Sequence, residues 1–299
     1  MEIKPDPSTT PATATAGMIP QPGERNYPED RWGRRAWELL EKIRRRAPLV
    51  QCITNFVSMD LMANVLLASG ASPAMLHSLQ EISDFTPGVD ALCINIGTLS
   101  EDWLPSMRAA AAAAAEAGRP WVLDPVAVSA SDYRMEACIG LLELRPAAIR
   151  GNASEILGLV SSSRFRENKG ADSSHESSDA VEAAKSLAQS TGAVVAVSGA
   201  IDYITDGRMV VAVRNGAAML QKITATGCAV TALIAAFIAV EPSGALEAVA
   251  CALSVFGIAA ELGVEAARGP ASLRMHLIDS LYGLNEDALL SRVSIFSHA

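Results

Sequence analysis

The chain has 299 residues, of which 50% are hydrophobic and 19% charged, a composition typical of a globular protein that buries a sizeable core. Its formal charge of −9 and pI near 5.0 argue against a nucleic-acid partner, because nucleic-acid-binding proteins present lysine and arginine side chains to phosphates. We therefore expect small-molecule ligands and no nucleic acid.

The cysteines and the first residues indicate the compartment. The five cysteines are scattered and form no C-x-x-C pair, so neither a disulfide framework nor a zinc cluster is indicated. Residues 1–17 lack the apolar stretch of a secretion signal and the arginines of an organelle transit peptide. The apolar run 228–240 is shorter than the roughly 20 residues that a membrane-spanning helix needs. We expect a cytoplasmic protein without a membrane anchor.

The chain divides into two parts. Residues 1–30 are rich in proline and have no apolar periodicity, which predicts a disordered arm. Residues 31–299 show no compositional break and predict a single domain, in which short apolar runs alternate with helical patterns. Strands are predicted at 49–53, 73–76, 91–96, 121–124, 147–150 and 193–198. Helices are predicted at 31–46, from about 55 to 70, at 101–117, 133–144, 153–160 and 179–190, and through most of 228–290.

The apolar runs predict the fold class. Strands that are apolar on both faces belong to parallel sheets covered by helices, so we expect an α/β layered fold with a mostly parallel sheet. Residues 201–214 contain two strand patterns joined by Asp206-Gly207, a strong turn dipeptide, and predict an antiparallel hairpin at an edge of the sheet. Residues 161–178 are polar and serine-rich and predict a surface loop without an assigned function.

Polar residues recur just after the predicted strands. In a parallel α/β sheet the ligand lies beyond the carboxyl ends of the strands. A single polar residue there more often caps a helix or turns a loop, but the recurrence favours a binding site. The residues in question are Asn55, Asn95, Asp124, Arg150, Asn152, Glu155 and Ser198.

A second signal is the stretch T-A-T-G-C at 224–228, which precedes an uncharged helix. The free amides and the positive dipole end of such a helix suit an anion such as a phosphate. The alternative is that Thr226 is a simple N-cap and Cys228 a small core residue. No P-loop, dinucleotide-binding or nucleophile-elbow motif is present, and the four histidines are too dispersed to indicate a metal centre.

Eight short motifs occur in order between about residues 48 and 290. They are Q-C-I-T-N (51–55), G-A-S-P-A-M (70–75), I-N-I-G-T-L (94–99), L-D-P-V (123–126), I-R-G-N-A-S-E-I (149–156), V-S-G-A-I-D (197–202), T-A-T-G-C (224–228) and G-P-A-S (269–272). The set resembles the hydroxyethylthiazole kinase family of the ribokinase-like superfamily. The resemblance implies a three-layer fold and transfer of the γ-phosphoryl of ATP to 4-methyl-5-(2-hydroxyethyl)thiazole in thiamine salvage, with Mg²⁺ as the metal and a homotrimer as the assembly.

The resemblance also implies roles for individual residues. By resemblance, the acceptor alcohol would contact Met75, Ala225 and Asn55. The nucleotide would bind at Arg150, Ser198 and Gly227, and the magnesium and phosphate region would include Asp124 and Glu155. Cys228 would take the place of the aspartate base that other ribokinase-like enzymes carry.

Cys228 is accordingly the candidate catalytic residue. A thiol in the first turn of a helix is expected to have a lowered pKa, which a neighbouring triphosphate would raise again. Because a loose phosphoryl-transfer transition state requires little early proton removal, a weak base can suffice. We expect Cys228 to orient or to deprotonate the acceptor hydroxyl.

The sequence departs from the family pattern at two places that family members fill with glycine. These are Ala225 and the segment Ala127-Val128-Ser129. Alanine adopts positive φ only at a cost, so either these backbones are ordinary or the pocket has a different shape. The alternative functions are a hydroxymethylpyrimidine-type kinase, a nucleotide-dependent nicotinamide-hydrate dehydratase of the same fold, and a binding protein without catalysis.

Overall fold

The computed structural model describes residues 30–161 and 177–298. Most of the predicted arm (1–29) and the centre of the predicted loop (162–176) lie outside the described residues. The strands are β1 Leu49–Ile53, β2 Ser72–Ala74, β3 Ala91–Asn95, β4 Trp121–Asp124, β5 Ala148–Asn152, β6 Val194–Ser198, β7 Asp202–Thr205, β8 Val210–Val213 and β9 Ile295–His298. The α-helices are α1 Asp30–Arg46, α2 Met59–Ala68, α3 Leu79–Phe85, α4 Trp103–Glu116, α5 Asp132–Leu142, α6 Ala153–Ser161, α7 Ser177–Thr191, α8 Thr226–Val240, α9 Ala245–Ala266, α10 Pro270–Gly283 and α11 Glu286–Arg292.

All nine described strands form one sheet in the order β2-β1-β3-β4-β5-β6-β7-β8-β9. The first six strands in this order, β2 through β6 with β1 included, pair in parallel. The remaining pairs, from β6 to β9, are antiparallel. The predicted α/β fold with a mostly parallel sheet is therefore confirmed. Because the carboxyl ends of β1, β3, β4 and β5 meet at one edge, the polar residues that follow them are brought together.

Two hydrophobic clusters cover the two faces of the sheet. Neighbouring residues of a strand point to opposite faces, so Cys52 and Cys93 belong to one cluster and Ile53 and Ile94 to the other. The first cluster contains α1, α2, α8 and α9, and the second contains α4 to α7. The result is a sheet between two helical layers.

The helix α8 is a core helix, as its uncharged sequence predicts, since most of its residues are fully buried. Within the described ranges, the segment Pro242–Ala266 is long and apolar enough to cross a bilayer by length and composition, but 78% of its apolar window is buried inside the protein. We therefore interpret α9 also as a core helix.

The structure differs from the sequence prediction in several element ends and in the place of the hairpin. The helix α2 begins at Met59 rather than near Asn55, because Asn55 Oδ1 accepts the amides of Val57 and Ser58 and holds a turn there. The helices α6 and α7 extend into both ends of the predicted loop 161–178. The antiparallel hairpin β7-β8 is confirmed, but it does not form the edge of the sheet, because β9 pairs with β8 outside it.

Candidate active site

The start of α8 lies where the carboxyl ends of the central strands meet. The helix begins after Ala225, whose φ of 67° and ψ of 5° are left-handed, and its first intrahelical hydrogen bond runs from the Ala229 amide to the Ala225 carbonyl. The amides of Thr226, Gly227 and Cys228 precede that bond and have no intrahelical acceptor. The helix therefore begins with free amides, as the sequence predicts.

Thr226 does not cap the helix. Its hydroxyl faces the carbonyl oxygens of Leu220 and Ile223, each at 3.3 Å, and Ala225 at the N-cap position supplies no side-chain cap. The alternative interpretation of this stretch as a simple threonine N-cap is wrong. The left-handed conformation also appears at Ala127, with φ of 51°, so both alanines keep the backbone that glycine favours.

A buried chain of hydrogen bonds connects Cys228 to Asp124. Asn55 Nδ2 donates to Cys228 Sγ at 3.5 Å and to Asn95 Oδ1 at 2.9 Å. Asn95 Nδ2 donates to Asp124 Oδ2 at 2.8 Å, and the Thr231 hydroxyl of α8 donates to the same oxygen at 2.9 Å. We call these five residues the polar chain. It joins three strands to α8 at the place where the sequence predicts a site.

Asp124 is the buried charge of the polar chain. Burial raises the pKa of Asp124 to about 6, an effect that the Arg150 guanidinium opposes and the Glu155 carboxylate reinforces. Its Oδ2 is held by Asn95 and Thr231, whereas its Oδ1 is buried and has no hydrogen-bond partner. An unpartnered buried carboxylate oxygen is costly, and a bound cation or its water would satisfy it.

The thiol of Cys228 has a raised pKa, not the lowered one predicted from its place in the first helical turn. Burial is the main cause, and the Asp124 carboxylate adds to it, while the amide of Asn55 opposes it. Burial, and after it the Asp124 carboxylate at the end of β4, outweigh the effect of the helix dipole. Before ligands bind, Cys228 is therefore a protonated thiol near neutral pH.

Glu155 has a different environment from Asp124. Its Oε1 accepts the amide of Ala127 at 2.9 Å and its Oε2 accepts the amide of Asn152 at 2.8 Å. The carboxylate thereby connects the loop after β4 to the end of β5. Among the residues that the structure describes, no group of three or more His, Cys, Asp or Glu side chains could hold a metal ion by itself.

The three residues predicted to bind the nucleotide lie together. Arg150 Nε donates to Ser198 Oγ at 2.7 Å, and the guanidinium passes so close to Gly227 that a Cβ there would lie 2.6 Å from Arg150 Nη1. All three line a cavity of about 480 Å³, which we call the Arg150 cavity. Asp202 also lines it and accepts the Gly199 amide at 2.9 Å, and burial raises the pKa of Asp202 to about 6.

The residues predicted for the acceptor side are only partly brought together. Asn55 belongs to the polar chain, and Ala225 adjoins it at the start of α8. Met75 directly follows β2 and packs, partly buried, against the same hydrophobic cluster as Ala225 and Cys228. Because β1 and β3 separate β2 from β4, Met75 lies on the outer side of the site.

Comparison with known proteins gives the family. A sequence model of the hydroxyethylthiazole kinase family matches residues 40–287, which is most of the chain. The chain belongs to the hydroxyethylthiazole kinase family. It is 67% identical over 266 residues to the hydroxyethylthiazole kinase of Zea mays, an alignment that covers 88% of this chain and 94% of the maize protein.

Solved structures confirm the fold of this hydroxyethylthiazole kinase family member. The structure of hydroxyethylthiazole kinase from Pyrococcus horikoshii OT3 is similar, with a TM-score of 0.82 and 39% identity, over 88% of this chain and 99% of that one. A ribokinase-like superfamily protein from Enterococcus faecalis shares the fold alone, with a TM-score of 0.57 and 10% identity, over 90% and 99% of the two chains. The protein is a kinase with the predicted ribokinase-like fold.

Two residues of the polar chain carry no predicted role. Asn95 stands among the polar residues that follow strands, but nothing in the sequence shows that it bridges Asn55 and Asp124. Thr231 is one turn into α8, and its hydroxyl is the first polar side chain in the apolar run after Cys228. That isolated polar residue on a core helix is the signal that could have identified it.

Proposed function

We propose that the protein transfers the γ-phosphoryl group of ATP to the hydroxyl of 4-methyl-5-(2-hydroxyethyl)thiazole, as a step of thiamine salvage carried out by a single domain of residues 31–299. The observation that carries the proposal is the start of α8, with the Arg150 cavity on one side and the polar chain on the other. The resemblance to named hydroxyethylthiazole kinases supports the choice of acceptor.

The nucleotide is proposed to occupy the Arg150 cavity with its terminal phosphates toward α8. Arg150 suits a phosphate because its planar guanidinium donates parallel hydrogen bonds, and Ser198 fixes its orientation through Nε. The free amides at Gly227 and Cys228 point the same way, and they supply the fixed dipoles on which phosphoryl transfer depends. Gly227 is needed because any side chain there would displace the guanidinium.

The acceptor hydroxyl is proposed to lie at Cys228. Since the pKa of the thiol is raised, its principal role is to orient the hydroxyl, with Asn55 holding Sγ in place. Asn55 is itself fixed by the amides of Val57 and Ser58. A loose transition state lets the hydroxyl lose its proton late, so no strong base is needed beside it.

The residues present fit a magnesium ion. The unpartnered Oδ1 of Asp124 is available as a ligand, directly or through a water, while both oxygens of Glu155 already accept amides and would act through water. Mg²⁺ would neutralise charge on the β- and γ-phosphates. Asn95 and Thr231 hold the other oxygen of Asp124 and so fix the direction of Oδ1.

By the same resemblance we propose a homotrimer, and from the scattered, unpaired cysteines a cytoplasmic location. In support, several large apolar side chains are exposed on the described surface, among them Phe56 at 69% and Val57 at 57%, both next to Asn55. Burying this patch against a second copy would also cover one side of the acceptor region. Analytical ultracentrifugation of the wild type and of Phe56→Ser would test the assembly.

Product analysis by mass spectrometry tests the reaction. The protein is incubated with ATP, Mg²⁺ and one acceptor at a time: the thiazole alcohol, a hydroxymethylpyrimidine, or a hydrated nicotinamide nucleotide. We expect the thiazole monophosphate as the main product, and omission of Mg²⁺ should abolish it. A phosphorylated pyrimidine or a dehydrated nicotinamide nucleotide as the main product would assign one of the alternative functions instead.

Steady-state kinetics test the role of Cys228. Cys228→Ala removes the group that orients the hydroxyl, and we expect kcat to fall about 10²-fold with little change in the KM for ATP. Cys228→Asp places a carboxylate at the same point and should remain active. A Cys228→Ala enzyme with full kcat, or a folded but inert Cys228→Asp enzyme, would contradict the role.

A further inference from the structure

The segment that follows β8 forms one wall of the Arg150 cavity, and Asn215 fixes it in place. Residues 215–218 line the cavity together with Arg150 and Gly227. The side-chain amide of Asn215 is saturated with hydrogen bonds. Its Oδ1 accepts from Ser254 Oγ at 2.6 Å and from the Ser294 amide at 2.8 Å, and its Nδ2 donates to Glu261 Oε1 at 3.1 Å and to the Arg292 carbonyl at 2.8 Å.

Two of these contacts come from one face of α9. Ser254, Gly257 and Glu261 are spaced by three and four residues, so they lie in a row on the helix. At Gly257 the backbone of Asn215 touches the helix, since a Cβ there would lie 2.5 Å from the Asn215 carbonyl carbon. Glu261 Oε1 also accepts the Gly216 amide at 2.9 Å. The wall therefore packs directly on the backbone of α9, and hydrogen bonds from Ser254 and Glu261 hold it on either side of Gly257.

The other two contacts come from the C-terminal segment. The Arg292 carbonyl lies at the end of α11 and the Ser294 amide lies between α11 and β9. The Ser294 carbonyl accepts the Arg214 amide at 3.0 Å. The Arg214 guanidinium lies 4.4 Å over the Phe296 ring of β9. Asn215 thus joins α9, the C-terminal segment and the cavity wall through one side chain.

We propose that Asn215 is a positioning residue for nucleotide binding, which holds the wall 215–218 at the distance from Arg150 that an ATP molecule requires. The inference rests on the proposed function in taking ATP as the ligand. Leu253 and Phe256 of α9, the helix that contacts Asn215, also line the cavity. Their apolar side chains suit the nucleoside end of ATP, while Arg150 and Gly227 would hold the phosphate end. Without Asn215 the wall can move, and ATP must order it again on binding.

The test measures the Kd of MgATP by calorimetry, without acceptor, for the wild type and for three variants. Asn215→Ala and Glu261→Ala should each raise that Kd at least about tenfold, because each removes hydrogen bonds that hold the wall 215–218 on α9. Glu261→Gln keeps an oxygen acceptor for Gly216 and Asn215, so its Kd should stay within about threefold of the wild type. The matched control is Asn64→Ala on α2, where the amide donates to Asp60 and a wild-type Kd is expected.

Steady-state kinetics distinguish a positioning role of Asn215 from a general loss of structure. For Asn215→Ala we expect a raised KM for ATP, with kcat and the KM for the acceptor within about twofold of the wild type. An ATP Kd within twofold of the wild type in both alanine variants would overturn the inference. If Asn215→Ala does not fold, Glu261→Ala and Ser254→Ala take its place in the same comparison.

The result also distinguishes this inference from the proposed function. A wild-type protein that binds MgATP but phosphorylates no thiazole alcohol would refute the proposed acceptor and leave the binding comparison valid. A wild-type protein that does not bind MgATP would overturn both.

Discussion

The two sides of the α8 start differ in how their polar groups are satisfied. On the side of the polar chain, Asn55, Asn95, Thr231 and Asp124 bond to each other in a buried network. On the side of the Arg150 cavity, the polar groups line an open space of about 480 Å³ and are fixed from behind, as Arg150 is by Ser198. Apart from Asp124 Oδ1, the polar groups of the first side satisfy each other, whereas those of the second side face a cavity.

This difference predicts that mutations on the two sides will affect different kinetic constants. A closed network determines the geometry of the reacting atoms, so defects in it should lower kcat. A cavity whose donors face the ligand determines affinity, so defects there should raise the KM for ATP.

Asp124→Asn should have the largest effect. Asparagine can still accept hydrogen bonds from Asn95 and Thr231, but it loses the negative charge offered through Oδ1. We expect kcat to fall about 10²- to 10³-fold with a folded protein, measured by a coupled ADP-release assay and thermal melting. Asp279→Asn on the exposed side of α10 is the control. Loss of affinity for ATP with unchanged kcat would contradict the contrast between the two sides.

Arg150→Ala should act in the opposite way. It removes the guanidinium that lies between Ser198 and Gly227, and we expect the KM for ATP to rise about 10- to 100-fold with a smaller change in kcat. Arg150→Lys keeps the positive charge but loses the paired donors of the guanidinium. Its KM for ATP should therefore lie between those of the wild type and of Arg150→Ala. If the alanine variant changed only the KM for the acceptor, the nucleotide would have to be placed elsewhere.

Asp202→Asn tests the electrostatics of the cavity through stability. The pKa of Asp202 is about 6 in the folded chain against 3.8 for an ordinary aspartate, mainly because of burial, so folding favours the protonated form. The stability that the protonated Asp202 carboxyl gives the wild type is therefore fully present below about pH 4, and it is lost as the pH rises through 6. We expect the uncharged variant to be more stable by about 1–3 kcal/mol at pH 7.5, with the difference vanishing near pH 4.

Chemical unfolding at several pH values measures the Asp202 effect. Asp279→Asn, on the surface of α10, should show no such pH-dependent gain. A variant that is less stable than the wild type at pH 7.5 would show that the Arg150 guanidinium compensates the Asp202 charge in the folded state.

Ala225→Gly should have the smallest effect. At φ of 67° the alanine pays a steric cost that glycine avoids, and relief of that cost exceeds the extra chain entropy of glycine. We expect a gain of about 0.5–1 kcal/mol in the free energy of unfolding. Ala232→Gly, in the interior of α8, should lose about 1 kcal/mol in the same urea titration. A loss at position 225 as well would mean that the Ala225 side chain packs favourably at the helix start.

The parallel part of the fold and the position of the site were predictable from sequence. Apolar runs such as 121–124 have a single interpretation, and polar residues that follow them converge because parallel strands share a carboxyl edge. The strand β9 was not predicted, because its four residues pair with β8 only through the fold. The role of Asn215 could not be predicted from sequence either, because its hydrogen-bond partners are distant in sequence and belong to α9 and the C-terminal segment.

The pKa of Cys228 shows why local reasoning fails in the site. Its place in the first turn of α8 indicates a lowered pKa, and this part is visible in the sequence. The larger effects are burial and the Asp124 carboxylate, which arrives from β4 through the fold. A pKa that depends on burial and on a residue distant in sequence cannot be predicted from the position of the thiol in a helix alone.

The strand β9 has a consequence for solubility. The outermost strands of an open sheet expose unpaired backbone groups that can recruit another chain. Here one outer strand is β2, which has three residues and contains Pro73, and the other is β9, whose last residues Ser297 and His298 are polar and exposed. The sheet thereby ends on both sides in strands that are poor templates for intermolecular β-pairing, and the apolar strands between them are protected from aggregation.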